Sequence, residues 1–152
     1  MTTHLFSMST ERSGSGKVVY LWLSPEAQLP DLPFEDPFRV IVVNELPRSA
    51  RQSAICDWLA ASGCRYMMAW GSDASSWDDS MDWTALERTG YVVDAASSDF
   101  IMTTWHDHEP LSEVFEFALD HAKHPSLELD DLLVLHLANQ PNPGQVLGNA
   151  RR

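Results

Sequence analysis

The densest run of chemistry-bearing side chains is His106-Asp107-His108-Glu109. Imidazole and carboxylate are ligand types that a transition metal takes. His106 and His108 stand two residues apart, on one side of an extended segment, and so form a candidate metal pair. A third ligand would come from Asp73 or Glu45. The same groups suit proton transfer: His106 paired with Glu45 or Asp73 is an acid and base, and Ser72, Thr103 and Thr104 are the available hydroxyls. No Gly-x-Ser-x-Gly elbow accompanies them. Cys64 opens its strand, at the end away from this site, so no catalytic nucleophile is assigned. The alternative is structural, with Asp107, His108 or Glu109 capping the helix that follows.

These residues meet only if the elements carrying them share one edge. Phe38–Asn44 is a run too apolar to be half-exposed, the periodicity predicts a helix over 49–62, and residues 65–71 form a second apolar strand. That is a parallel βαβ unit. Ser49 with Gln52 makes a capping box, and Ala54, Ile55, Trp58 and Leu59 follow at helical spacing to Gly63. The unit repeats. A helix over 76–89 buries Trp77, Met81 and Thr84 and leaves Asp78, Asp79 and Asp82 to the solvent and the helix dipole; a strand follows at 100–105. A helix begins at Pro110, has a stripe from Leu111 to Ala122, and runs to Pro125; the last strand is 131–137. Tyr91–Asp94 is a further short strand candidate.

Before the unit lies a strand at 17–23, followed by Pro25, Pro30, Pro33 and Pro37, which forbid a helix. Such a connection places that strand at the sheet edge. Residues 1–16, ending in Ser13-Gly-Ser-Gly16, read as a flexible leader, and 139–152 as a loose tail around a single domain over 17–138. The fold class is α/β, with a mostly parallel sheet of four to five strands and helices on both faces, a three-layer arrangement of the Rossmann or flavodoxin kind. Ligands of such sheets gather at the carboxyl ends of the strands, where Glu45, Asp73, His106, Asp107 and His108 fall.

Charge narrows the partners. Residues 1–72 hold seven acids and six bases, whereas 73–131 hold fifteen acids and two bases, a local net charge of −13. That field repels phosphate backbones and anionic lipid and draws a basic protein partner, although the same acids also serve solubility. Nucleic acid and membrane are excluded. The turn from Asn44 to Ser49 lacks glycine and carries a carboxylate, against a dinucleotide cradle. No cofactor is required. Six tryptophans are many for 152 residues; most fit the core, and one or more suit contact anchors. Cys56 and Cys64 suit two reduced thiols in a cytoplasmic protein, and no secretory signal or membrane-length apolar run occurs.

Met68-Ala-Trp-Gly71 with Trp77, Met102-Thr-Thr-Trp-His106 with its following amphipathic helix, and Leu133-Val-Leu-His136 together resemble a small bacterial family known as a domain of unknown function, over residues 38–137. The resemblance implies a bacterial cytosolic α/β domain and supplies no activity, cofactor or catalytic residue. The leading expectation is a non-enzymatic interaction domain with an acidic surface for a basic partner. The alternative is a small metal-binding protein or hydrolase-like enzyme at the strand ends.

Overall fold

Phe38–Asn44 forms β3, and every residue in it is buried, as a parallel strand covered on both faces requires. Around it the computed structural model, which describes residues 6–13, 16–47 and 51–150, arranges nine further elements. In chain order with β3 they are β1 (Phe6–Ser13), β2 (Gly16–Leu23), β3, α1 (Gln52–Ala61), β4 (Cys64–Gly71), α2 (Ala74–Arg88), β5 (Met102–His106), α3 (Leu111–Asp120), β6 (Asp131–Leu137) and α4 (Pro143–Gly148). One six-stranded sheet results, in the order β1-β2-β6-β3-β4-β5. All neighbours are parallel except β1 and β2.

The order dictates the layers. From β3 through β4 to β5 the chain steps outward in one direction, and a fixed crossover hand keeps α1 and α2 on the same face. The return from β5 to β6 runs the other way, so α3 must lie on the opposite face. Packing agrees: Ile55, Leu59, Trp77 and Met81 join one core with Val40, Val42 and Leu135, while Val114, Phe115 and Ala118 join a second with Ile41, Val43 and Val134. Alternate residues of each central strand thus serve the two cores.

Six strands replace the four to five expected, because the presumed leader supplies one. Phe6–Ser13 pairs with β2 over its whole length, from Phe6 opposite Leu23 to Ser13 opposite Gly16. Consequently β2 is internal, between β1 and β6, rather than at the edge. The expected tail contains α4, whose Asn142 cap accepts a hydrogen bond from the Gln145 amide and whose Val146 is buried. Helix α3 ends at Asp120, short of Pro125, and residues 91–94 are an exposed loop rather than a strand. Ser49 of the expected capping box lies outside the described residues. Gln52 is buried, and its amide bonds the Ser76 carbonyl and the Ser80 hydroxyl, fastening α1 to α2.

Two buried arginines fasten the amino ends of the strands. Arg39 donates to the carbonyls of Ala118 and Asp130, and Arg65 to those of Ala60, Cys64 and Ser98. Burial lowers both guanidinium pKa values from their usual range, and carbonyl oxygens replace the lost water. Cys56 and Cys64 are buried free thiols, and burial pushes the Cys64 thiol up to about 12.

Candidate functional site

Neighbouring strands β3 and β6 send the chain to opposite faces, β3 to α1 and β6 to α4. Their connections diverge and open a crevice at the carboxyl edge, where open α/β sheets bind ligands. Glu45 follows β3, and its backbone amide donates to the Leu137 carbonyl at 2.9 Å. Its carboxylate meets Nε2 of His136, a β6 residue only 1% exposed. On the other side of the ring, Nδ1 lies 2.7 Å from the Tyr20 hydroxyl. The Tyr20 oxygen accepts from the Asn142 amide at 3.0 Å.

The direction of this chain follows from its buried end. Burial raises the Tyr20 pKa, partly offset by the Asn142 hydrogen bond and reinforced by Glu45, so the phenol keeps its proton and donates. His136 Nδ1 must then accept, which places the ring proton on Nε2, donating to Glu45. A protein-held hydrogen-bond chain therefore runs from Asn142 through Tyr20 and His136 to a carboxylate that is 56% exposed. Glu45 and Trp70 line two adjoining clefts. One, of about 630 Å³, is also lined by His136, Asn139 and Gln140; the other, of about 490 Å³, by Asn44, Ser72, Asp107 and Glu109.

Of the residues expected at this rim, Glu45 and Asp107 share a cleft. His106 points elsewhere: its Nε2 lies 2.8 Å from the Thr104 hydroxyl, its Nδ1 2.5 Å from Glu109, and its ring packs on Phe117. His108 is exposed, 3.7 Å from Asp107, so the two histidines do not converge. Asp73 precedes α2 with φ 57° and lines neither cleft. Among the described residues no three His, Cys, Asp or Glu side chains gather as metal ligands. His136 and Tyr20 were not singled out by sequence. The available signal was a lone histidine inside the apolar run Asp131–Leu137, which needs buried partners.

A second feature occupies the flank made by α2, residues 89–101 and β5. Asp78 is 7% exposed although the helix pattern placed it outward, and its Oδ1 has no hydrogen-bond partner among the described residues. Thr103 of β5 donates to Asp82 at 3.0 Å. Burial raises the Asp78 and Asp82 carboxyls, the Thr103 hydroxyl partly lowers them, and the neighbouring aspartates raise them again. A folded-state pKa above the unfolded one means that ionised Asp78 costs stability above its folded pKa, a cost that vanishes as pH falls to the ordinary aspartate range. Asp78→Asn is accordingly expected to stabilise the protein by about 1 kcal/mol at neutral pH. The gain should shrink on acidification, as thermal melts at several pH values would read.

Around these carboxylates the surface is apolar. Trp83 is 60% exposed, Val93 71% and Trp105 51%, with Tyr91 and Val92 beside them in the chain. A groove of about 630 Å³ is lined by Asp82, Asp94 and Asp99 together with Leu86, Val92 and Phe100.

No helix among the described residues is long and apolar enough to cross a membrane. No curated protein and no solved structure matches the chain significantly. The model of one family matches residues 18–150, the stretch from β2 to α4 that builds both the crevice and the acidic flank, and the chain belongs to that family, described as a domain of unknown function (DUF7684).

Proposed function

We infer that the protein is an interaction domain that docks a basic protein partner on the flank of α2, residues 89–101 and β5. The observation that carries this reading is the concentration of exposed apolar side chains. Among the described residues, six of the seven exposed large hydrophobics fall within the stretch whose net charge is −13, and five of them, Trp83, Tyr91, Val92, Val93 and Trp105, lie on this flank. Apolar surface beside one sign of charge is the anatomy of an interface, with aromatic anchors for affinity and a charged rim for partner choice. Asp78 supports it further, since a carboxyl kept buried at a cost suggests use.

The test is a titration. Partners captured on the purified protein would be identified, purified and titrated against wild type and Asp82→Lys/Asp94→Lys. A basic partner whose affinity falls at least about tenfold in the variant, and falls with salt, is expected. An acidic partner, or unchanged affinity, would overturn the reading.

The chain from Tyr20 through His136 to Glu45 favours a second reading, a small hydrolase-like enzyme with Glu45 as its acid–base group. A buried imidazole that orients an exposed carboxylate in a crevice supports proton transfer there. The reversal of crossovers beside Glu45 is the device by which Rossmann-like and flavodoxin-like sheets make their sites, and we group the fold with those three-layer sheets on that ground.

A further inference from the structure

Resting on the docking reading above, we propose that the basic partner is captured as an added strand: an extended segment with Lys or Arg at alternate positions pairs with the open edge of β5. Among the described residues, β5 ends the sheet and pairs only with β4. Among the described residues, no backbone hydrogen bond joins Met102–His106 to any segment outside that ladder. Half of its amides and carbonyls therefore face outward as a template for another strand.

Edge strands are ordinarily protected by lysine, proline, a bulge or extreme shortness. Met102-Thr-Thr-Trp-His106 contains neither residue, and its register with β4 is unbroken. At the other edge β1, rich in serine and threonine, carries Glu11 and Arg12 in place of an aromatic anchor beside a carboxylate groove. Side-chain alternation then sets the pattern of the occupant. Thr103 points to the α2 side, where it meets Asp82, and Thr104 to the opposite side, where it meets His106. A strand laid beside β5 sends every second side chain to the α2 side, toward Asp82 and next to exposed Trp105. Cationic side chains at those positions would meet the carboxylates, and their aliphatic stems would cover the indole. A second copy of this chain is disfavoured as occupant, because pairing two such edges would bring like charges together.

The probes are three short blocked peptides, alternating Lys/Val, alternating Lys/Pro of the same charge, and alternating Glu/Val, titrated against the full chain. The Lys/Val peptide is expected to bind at least about tenfold tighter than the Lys/Pro peptide, since proline cannot donate to a ladder. It should also slow hydrogen exchange at the outward amides of β5. Asp82→Lys and Trp105→Lys, both at exposed positions, should each abolish that preference. Equal binding of the two cationic peptides would overturn strand addition and leave acidic docking standing. Binding of neither, or tighter binding of Glu/Val, would overturn both. A dimer that Trp105→Lys dissolves would replace the basic partner with a second copy and overturn the proposal.

Discussion

Gly71→Ala is expected to destabilise the protein by about 3 kcal/mol or more, a large share of the roughly 5–15 kcal/mol that holds a domain of this size together. Gly71 ends β4 with φ +100°, and a Cβ there would stand 2.2 Å from the Asn44 carbonyl oxygen. That oxygen cannot retreat. It accepts from the Ser72 amide at 2.9 Å, while the Asn44 side chain donates to the Ser72 carbonyl at 2.8 Å. The approach of β3 to β4 is thus locked on both sides at the rim beneath Glu45. Gly90 is the control, with φ +64° and nothing within 4 Å of an added Cβ. Gly90→Ala should cost only about 1 kcal/mol. Urea unfolding of the two variants measures the contrast, and equal costs would mean that the close approach at Gly71 is not rigid.

The second large effect concerns His136. His136→Phe keeps an aromatic ring of similar size in the core, yet it should cost about 3 kcal/mol. The Tyr20 hydroxyl loses its acceptor in a buried site and the Glu45 carboxylate loses its donor. Glu45→Gln should cost less than about 1 kcal/mol, because the amide oxygen can still accept from Nε2 and the side chain is largely in solvent. If instead the His136→Phe variant unfolded in urea with little loss of stability, His136 would be filler, and the acid–base reading of the crevice would lose its support. Because Glu45→Gln is expected to fold, it also locates chemistry. Any hydrolytic activity of the purified protein belongs to this crevice only if that variant removes it.

Much of the frame was legible because its signals are local. The apolar run at 38–44, the helical stripe through Ile55 and Leu59, and the repeat of strand and helix to residue 137 follow from periodicity, which depends on neighbours in sequence. β1 escaped because one face of an edge strand can be wet. Phe6, Met8 and Thr10 alternate with Ser7, Ser9 and Glu11, and Met8 alone packs against a core. Its partner β2, not its own composition, holds it in place. Topology pointed to the strand carboxyl ends, but which side chains meet there depends on contacts made across 91 and 116 residues of chain. Glu45 could be placed at the rim by topology. His136 could not, since a histidine in an apolar run looks like core until its partners are known. Asp78 shows the reverse error: helical spacing placed it outward, but the lateral packing of β5 against α2 covered it.

The position of β6 bears on how the molecule is made. It is the last strand in the chain and lies between β2 and β3, where Val18 pairs with Leu132 and Val40 with Leu133. During synthesis two separate pieces precede it, a hairpin of β1 and β2 and a βαβαβ block from β3 to β5, each with one bare flank. Neither can be completed until the wedge between them leaves the ribosome, so final assembly waits for residues 131–137 and carries the slow kinetics of distant pairing. A premature stop between residues 107 and 130 would therefore leave two sticky pieces on one chain in place of a slightly shortened fold.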